Sequence, residues 1–277
     1  MTAQRPGTAA GPPPAEELLA VALEVVRPAA ATARRLRTGV VAQVGTKSSA
    51  TDVVTAADQQ VERQLVDALR ARRPDDAVLG EEYGEGGGQA ADAPVRWLLD
   101  PIDGTVNYLY DLPWYAVSLA AQVAGRVVAG VVHNPATGQE WTAVAGQGAW
   151  RDGRRLRGSR QTSLGQALVA TGFSYDPVQR GEQARVVAQL IGHVRDIRRF
   201  GAAALDLCLA AEGAVDGYYE AGLKPWDYAA GALIAAEAGL TVAGLAGAPA
   251  GPQLVLAAPP ALFTPLHDRL RELTAAP

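Results

Sequence analysis

Apolar residues recur at helical spacing in the first quarter of the chain and predict two helices. The first runs from Glu16 to about Leu36, and Pro28 inside it predicts a kink or a split. The second runs from Val53 to Arg72, where apolar residues fall on one face, and Pro74 follows its end.

Strand patterns dominate the sequence that follows these helices. Ala77-Val78-Leu79 predicts a short strand that runs into Gly80-Glu81-Glu82, and Gly84 to Ala93 predicts a Gly-rich loop. The run Arg96-Trp97-Leu98-Leu99 predicts a buried strand that leads directly into Asp100. Further strands are predicted at 115–123, 126–132, 140–145, 148–156, 167–171, 196–199, 217–220 and 253–257, with helices at 181–193, 203–211, 227–238 and from about 260.

The order of these elements predicts stacked layers of helices and sheets, so we expect an α+β fold. The sequence shows no internal repeat and no linker long enough to separate independent domains, so residues 15–277 are expected to form one unit. Residues 1–14 contain Gly and four prolines, which predicts a disordered lead-in rather than a signal peptide.

Composition narrows the classes of partner. The 277 residues are 48% hydrophobic and carry a net charge of -4, which disfavours nucleic acid because its partners need a basic surface. No apolar run approaches the roughly 20 residues that a membrane helix needs. A single cysteine, Cys208, excludes a disulfide within the chain and fits a reducing compartment. We therefore expect a soluble, cytoplasmic protein without a nucleic-acid or membrane partner.

Five acidic residues are predicted to lie at strand ends or turns rather than on helix faces. Within the run Asp100-Pro101-Ile102-Asp103, the proline rules out a continuing central strand, and the turn brings Asp103 back toward Asp100. Two carboxylates this close repel each other unless a cation neutralises them or one takes a proton. The three histidines are dispersed and disfavour zinc, whereas oxygen ligands favour Mg²⁺. The five residues are Asp58, Glu81, Asp100, Asp103 and Asp227.

Gly104-Thr105 follows the aspartate pair directly. If a helix or tight turn starts there, its free backbone N–H groups form an anion site beside the metal. An anion site next to a divalent cation favours phosphate, although Asp-Gly is also a common turn dipeptide. The complete run from Asp100 to Thr105, behind a hydrophobic strand, therefore predicts a site for metal and phosphate.

Four segments of the chain, in order, resemble the inositol monophosphatase family. The resemblance covers about residues 16 to 275 and implies the layered αβαβα sandwich of the inositol monophosphatase and fructose-1,6-bisphosphatase type. It implies a metal-binding half at about 15–160 and a substrate half at about 161–277. The segments are Lys47-Ser48-Ser49 with Val54-Thr55-Ala56-Ala57-Asp58, Gly80-Glu81-Glu82, Asp100-Pro101-Ile102-Asp103-Gly104-Thr105-Val106-Asn107, and Trp226-Asp227-Tyr228-Ala229-Ala230-Gly231.

The resemblance implies a Mg²⁺-dependent phosphomonoesterase with two or three Mg²⁺ ions per site. Glu81, Asp100 and the Ile102 carbonyl would hold the first ion, and a third, weaker ion is implied near Glu81. Asp100, Asp103 and Asp227 would hold the second. The ions would clamp an in-line displacement by water, without a phosphoenzyme. The implied catalytic residues are Asp58, Thr105 and Glu81, of which Asp58 and Thr105 would orient the water and help deprotonate it.

The substrate end of the site is implied in the second half of the chain. The backbone at Gly201 and Ala203 would approach the sugar alcohol, and Glu220 would accept hydrogen bonds from inositol hydroxyls. Lys47 would lie on a mobile loop that shapes the metal site, and Glu82 would have a structural role. The implied substrate-binding residues are Asp103, Gly104, Thr105, Gly201, Ala203 and Glu220.

The identity of the alcohol stays open at this point. The favoured substrate is myo-inositol 1-phosphate or a similar polyol phosphate, and the alternatives are histidinol phosphate, fructose bisphosphate and a nucleotide 3′-phosphate. A basic pocket for a second phosphate is not evident, although Arg199 or Lys224 could supply one. A non-catalytic regulatory or binding protein on the same scaffold is the alternative of a different class. A homodimer and sensitivity to lithium are also implied by the resemblance.

Overall fold

The structure is a computed structural model, which describes residues 13–37, 44–46, 53–86 and 93–275. Its α-helices are α1 (Ala15–Arg37), α2 (Ala56–Arg72), α3 (Thr105–Leu109), α4 (Pro177–Leu190), α5 (Ala203–Glu212), α6 (Pro225–Glu237) and α7 (Pro260–Ala275). Its strands are β1 (Val44–Thr46), β2 (Val53–Thr55), β3 (Ala77–Gly80), β4 (Gly84–Gly86), β5 (Arg96–Asp103), β6 (Ala116–Val123), β7 (Arg126–His133), β8 (Glu140–Val144), β9 (Gly148–Arg151), β10 (Arg154–Arg155), β11 (Leu168–Thr171), β12 (Asp196–Arg198), β13 (Gly217–Glu220), β14 (Thr241–Ala243) and β15 (Val255–Ala258).

The strands form two large sheets and one short pair. The larger sheet has eight strands in the order β10-β9-β8-β7-β6-β5-β3-β4, and the smaller has five in the order β12-β11-β13-β15-β14. In the larger sheet β3 and β5 are parallel, and each successive pair from β5 to β10 is antiparallel. In the smaller sheet β11 is parallel to both β12 and β13. The strands β1 and β2 form the separate antiparallel pair.

Helices cover both faces of both sheets. The pair α1 and α2 packs on the outer face of the eight-stranded sheet, and α5 and α6 pack between the two sheets. The helices α4 and α7 pack together, and α7 contacts β15 of the five-stranded sheet. The resulting order of helices, sheet, helices, sheet, helices is an αβαβα sandwich, which confirms the predicted fold class. Among the described residues, no helix combines the length and the apolar character needed to span a bilayer.

The middle layer lies close to the larger sheet because small residues line the contact. A Cβ added to Gly130 on β7 would lie 3.1 Å from the Cα of Ala230 on α6. Such a contact is tighter than ordinary van der Waals packing, so glycine on the strand and alanine on the helix permit the approach. The strand β5 is buried from Trp97 onward because α2 and α6 cover its two faces.

Several predicted boundaries differ from the observed ones. The segment Val53–Thr55 is the strand β2 rather than the first turn of α2, because it pairs with β1. Pro28 does not split α1, since its position is exposed and water can satisfy the backbone carbonyl that the proline leaves without a donor. Part of the predicted Gly-rich loop, Gly84–Gly86, forms the strand β4, and residues 87–92 lie outside the described residues.

Two helices begin earlier than predicted. The helix α4 starts at Pro177 rather than at Gly181, because the Asp176 side chain accepts hydrogen bonds from the backbone N–H groups of Val178 and Gln179. Pro225 provides the first residue of α6, two positions before Asp227. Residues 1–12 of the predicted lead-in lie outside the described residues, as does Lys47.

Candidate functional site

One cavity of about 410 Å³ opens where the ends of β3, β5, β11 and β13 meet the starts of α5 and α6. It brings together nearly all of the predicted site residues. Asp58 does not line the cavity but lies directly behind Thr105. The predicted residues that line it are Glu81, Asp100, Ile102, Asp103, Gly104, Thr105, Gly201, Ala203, Glu220 and Asp227.

A bulge in β5 places the two central aspartates on the same face of the sheet. Asp100 pairs with Ser118 and Asp103 pairs with Ala116, so three steps along β5 match two steps along β6. Without the extra residue, side chains three positions apart would point to opposite faces. The Asp100 side chain is fixed by the backbone N–H of Ile102, which donates to its Oδ1 at 3.0 Å.

The turn after β5 depends on glycine at position 104. Gly104 has φ 90° and precedes the first residue of α3. A Cβ at this position would lie 3.1 Å from the carbonyl oxygens of Trp114 and Gly201. Both the positive φ and the close approach require glycine here. The predicted helix start at Thr105 is therefore observed, in a helix of five residues.

Thr105 and Asp58 form a buried pair beside the cavity. The Thr105 hydroxyl lies 3.2 Å from Asp58 Oδ1 and 3.1 Å from the Ile102 carbonyl oxygen. Asp58 is fully buried in the first turn of α2. Asp227 is also in a first turn, that of α6, so both residues lie in helices that were predicted, and the general expectation that the five acids lie at strand ends or turns is wrong for these two. Helix N-termini suit both carboxylates because the helix dipole is positive there.

Two further acidic residues are anchored by backbone amides. Asp103 accepts hydrogen bonds from the N–H groups of Ala203 at 3.1 Å and Ala204 at 2.8 Å, at the start of α5. Asp227 accepts one from the N–H of Lys224 at 2.6 Å. The bonds to Asp103 connect β5 to the start of α5, whereas the bond to Asp227 is a cap within the start of α6.

Burial and mutual repulsion raise the pKa values of these acids. Burial raises the pKa of Asp100 well above its usual range, and the charges of Glu81 and Asp103 raise it further. Burial raises the pKa of Asp103 to about 7, although the amides at the start of α5 lower it. Burial also raises the pKa of Asp227, with Glu81 and Asp103 adding to the effect. The cavity therefore concentrates more negative charge than its own surroundings neutralise.

Mg²⁺ fits this set of donors. Carboxylate and carbonyl oxygens are the ligands that it prefers, and the two cationic side chains that line the cavity, Arg199 and Lys224, are exposed at its rim. Among the described residues, no group of three or more His, Cys, Asp or Glu side chains is already arranged to hold a metal ion. Carboxylate oxygens of Asp103 and Asp227 that accept hydrogen bonds from backbone amides would also bind the metal. This is feasible because each oxygen has two lone pairs.

Glu220 forms the opposite wall of the cavity at the end of β13. The Tyr218 hydroxyl donates to its Oε2 at 2.7 Å. Burial raises the pKa of Glu220 to about 7, while Tyr218 and Arg199 act to lower it. A Cβ added to Gly172 would lie 2.0 Å from Glu220 Oε2, so the carboxylate fills the space beside this glycine.

Sequence reasoning missed Glu62, which supports the turn that carries Glu81. Glu62 is fully buried and accepts hydrogen bonds from the backbone N–H groups of Glu82 at 2.8 Å and Tyr83 at 3.0 Å. It lies one helical turn after Asp58 on α2, facing the core. The sequence did offer a signal for Glu62. It is a second acid one helical turn after Asp58, on a helix face that also carries apolar residues.

Two further buried residues connect the site to its surroundings. The Asn107 side-chain amide donates to the carbonyls of Trp114 and Phe200, both at 2.8 Å, and joins α3 to the segment before Gly201. The Asp206 side chain accepts from the Trp114 indole N–H at 3.2 Å, and burial raises its pKa well above the usual range. Nothing in the sequence distinguished Asp206 from an ordinary helix acid.

Similarity in sequence and in structure to inositol monophosphatases identifies the chain as a phosphatase, a phosphoric monoester hydrolase. The sequence profile described as the inositol monophosphatase family matches residues 14–276. The chain therefore belongs to the inositol monophosphatase family, as the resemblance predicted.

Individual relatives agree with this assignment. An inositol-1-monophosphatase from Mycobacterium leprae is 50% identical over 208 residues, which is 72% of this chain and 70% of the relative. The relative named Nus factor SuhB in Escherichia coli is 42% identical over 197 residues, covering 71% and 73% of the two chains. The solved structure of the extragenic suppressor protein SuhB from Bartonella henselae has a TM-score of 0.86 at 34% identity and covers 92% of this chain and 99% of that chain.

Proposed function

We propose that this chain is a Mg²⁺-dependent phosphatase that hydrolyses myo-inositol 1-phosphate or a similar polyol phosphate. The observation that carries the proposal is the convergence of four buried or half-buried acids on one cavity, beside the Thr105–Asp58 pair. The same cavity holds Glu220 on its opposite wall. The four acids suit metal-assisted hydrolysis of a phosphate ester, and Glu220 suits binding of the hydroxyl groups of a polyol leaving group.

The metal would be held by the acids and one carbonyl. Glu81, Asp100 and the carbonyl of Ile102 would bind one ion, and Asp103 and Asp227 would bind another together with Asp100. When bound, Mg²⁺ supplies a Lewis acid that polarises the phosphoryl group and lowers the pKa of a bound water. The raised pKa values in the cavity support this assignment, because a divalent cation neutralises the crowded negative charge.

Asp58, Thr105 and Glu81 would prepare the attacking water. The Thr105 hydroxyl can donate to Asp58, which leaves the lone pairs of its oxygen to accept a hydrogen bond from water. This orients the water oxygen toward phosphorus, and the nearby carboxylates can accept its proton. The water oxygen forms the new bond to phosphorus while the bond to the alcohol oxygen breaks. That oxygen keeps the electron pair and takes a proton, which yields the alcohol and inorganic phosphate.

The leaving alcohol would lie between α5 and Glu220. The backbone at Gly201 and Ala203 lines this part of the cavity, and Gly104 and Thr105 line the phosphate side. Vicinal hydroxyls of a polyol can donate to Glu220, whose orientation is fixed by Tyr218. Arg199 and Lys224 line the rim of the cavity and can bind a second phosphate group of a substrate. A bisphosphate is therefore the alternative substrate that an experiment must distinguish from a polyol monophosphate.

A substrate panel tests the proposal. Phosphate release is measured from inositol 1-phosphate, histidinol phosphate, fructose 1,6-bisphosphate and a nucleotide 3′-phosphate, each with Mg²⁺ and with EDTA. We expect the highest kcat/KM on inositol 1-phosphate and no release in EDTA. If inositol 1-phosphate is the poorest of the four, the polyol assignment is wrong.

A regulatory function is the second candidate, because the Escherichia coli relatives carry the name Nus factor SuhB. The complete set of acids in the cavity and the net charge of -4 favour catalysis over an RNA-binding role. Failure to release phosphate from every compound in the panel would favour the regulatory candidate. A homodimer and inhibition by lithium remain predictions from the family resemblance, and a cytoplasmic location remains a prediction from composition.

A further inference from the structure

Two loops contribute to the wall of the cavity on the side of Glu220. One follows β11 and contributes Ser174 and Tyr175, and the other follows β13 and contributes Ala221 and Gly222. Neither segment belongs to a helix or a strand. The pairing of β11 with β13 fixes where both loops begin, and contacts beyond the strand ends fix their further course, which sets the space available to the leaving alcohol.

The Gln183 side chain on α4 bridges the two loops. Its Oε1 accepts a hydrogen bond from the backbone N–H of Ser174 at 2.7 Å, and its Nε2 donates to the carbonyl of Ala221 at 3.0 Å. The side chain is partly buried. Because the amide group is planar and uses both of its ends, it fixes one loop relative to the other.

Gln179 lies one helical turn earlier on the same face of α4 and lines the cavity. A Cβ added to Gly222 would lie 3.3 Å from Gln179 Oε1, so this side chain also approaches the second loop. The start of α4 is fixed in turn by Asp176, which caps the helix and lines the cavity. The first two turns of α4 thus face the leaving end of the site with polar side chains.

Apolar packing does little to hold this end of α4. Of its fourteen residues, all of which the structure describes, Leu190 at the far end is the one that is fully buried, and Val178 is 72% exposed. A separate small cavity of about 60 Å³ lies beneath the helix, lined by Gln183, Val186 and Tyr219 among others. Polar bonds from Gln183 therefore hold the loops where close packing is incomplete.

We propose that Gln183 is a positioning residue that sets the leaving-alcohol specificity of the site, and that Gln179 contacts the alcohol. The inference rests on the proposed function and deepens it. Specificity for a compact polyol then depends on a glutamine that does not itself line the main cavity. Loss of the bridge should weaken binding of the alcohol while leaving the acids around Asp100 and their metal unaffected.

The kinetic test compares Gln183→Leu with Gln189→Leu, since Gln189 is exposed on the same helix. For Gln183→Leu we expect KM for inositol 1-phosphate to rise about tenfold, the scale of one or two lost hydrogen bonds. We expect the Mg²⁺ concentration for half-maximal activity and the turnover of p-nitrophenyl phosphate, which has no polyol, to stay within about twofold of wild type. Equal losses on both substrates, or equal effects of the two leucine variants, would overturn the specificity role.

Amide hydrogen exchange provides a readout that needs no activity. Exchange should be faster in peptides covering 172–176 and 221–224 in Gln183→Leu than in wild type or Gln189→Leu, because the Ser174 amide loses its partner. Unchanged exchange would overturn the bridging role. If the wild-type chain releases no phosphate from polyol phosphates, the proposed function fails and the specificity role fails with it. That result is distinct from an active wild type whose Gln183 variants behave normally.

Discussion

Replacement of Glu62 by glutamine tests how the turn that carries Glu81 is held. The Glu62 carboxylate accepts two backbone N–H bonds, at 2.8 Å from Glu82 and 3.0 Å from Tyr83. Glutamine has nearly the same shape but only one oxygen. In Glu62→Gln one of the two N–H groups therefore faces an NH₂ group and loses its acceptor.

The structure sets the size of the effect. A buried N–H that loses its acceptor and a neighbouring bond that loses its charge together cost roughly 2–4 kcal/mol of unfolding free energy. Because the turn carries Glu81, a ligand of the proposed Mg²⁺ site, its loosening should also raise the Mg²⁺ requirement roughly tenfold, the effect expected of a residue that supports a metal ligand. The carboxylate can occupy this position because residue 80 is glycine, since a Cβ there would lie 2.1 Å from Glu62 Oε1.

Urea unfolding and a Mg²⁺ titration of activity measure the two effects. We expect the urea midpoint of Glu62→Gln to fall by about 1 M or more, given ordinary slopes. The matched control is Asp67→Asn, the same change of charge at an exposed position of the same helix, which should stay within about 0.5 kcal/mol of wild type. If Glu62→Gln behaves like the control in both assays, Glu62 does not hold the Glu81 turn.

Two other changes give distinct outcomes. Gly172→Ala places a Cβ 2.0 Å from Glu220 Oε2, so the carboxylate must move and KM for inositol 1-phosphate should rise about tenfold. The control Gly165→Ala adds a Cβ with no atom within 4 Å and should leave KM unchanged. Equal KM values for the two variants would contradict the placement of Glu220. Although burial alone would raise the pKa of Glu140, its contacts with His133 and Arg27 lower it from 4.5 to about 2. That contribution to stability is present above pH 4.5 and is lost as the pH falls toward 2, so the stability difference between wild type and Glu140→Gln should be about 1–2 kcal/mol at pH 7 and shrink toward pH 3. A difference that does not change with pH would contradict this account.

The sequence patterns predicted elements whose local signals agree with their tertiary contacts. The boundaries of β13 were predicted as observed, and β5 runs from the predicted start at Arg96. Asp152-Gly153 is a dipeptide typical of turns, and both residues have positive φ between β9 and β10, as a tight hairpin requires. In these cases composition, periodicity and turn residues all favour the same structure.

Other features depend on contacts that a single segment does not encode. The strand Thr241–Ala243 has only three residues and forms because β15 pairs with it. The start of α4 depends on the capping side chain of Asp176 rather than on apolar periodicity, since nearly all of its residues are at least partly exposed. The role of Glu62 depends on a turn twenty residues later in the chain. Such partners are brought together by the fold, so short-range patterns cannot identify them.

Some features of the site could likewise be predicted from a short segment of sequence, and others could not. The approach of Asp103 to Asp100 was predicted from the run Asp100-Pro101-Ile102-Asp103 itself, but the expectation that Pro101 ends the central strand is wrong, because β5 continues to Asp103 through a bulge. The anchoring of Asp103 by the start of α5, one hundred residues later, could not be inferred because it depends on how α5 packs. The two loops after β11 and β13 carry no signal in the sequence that predicts a role for them. The role proposed for them rests on their contacts with α4.

The most direct test of the account is the response of Asp100→Asn to Mg²⁺. Wild type should gain thermal stability with Mg²⁺ and hydrolyse inositol 1-phosphate, since an ion that binds only the folded state stabilises it. Asp100→Asn should lose more than about a hundredfold of that activity and show no stabilisation by Mg²⁺. In EDTA it should be at least as stable as wild type, because the amide removes one charge from a crowded, buried cluster. An Asp100→Asn protein that remains active and is stabilised by Mg²⁺ would contradict the proposed metal site.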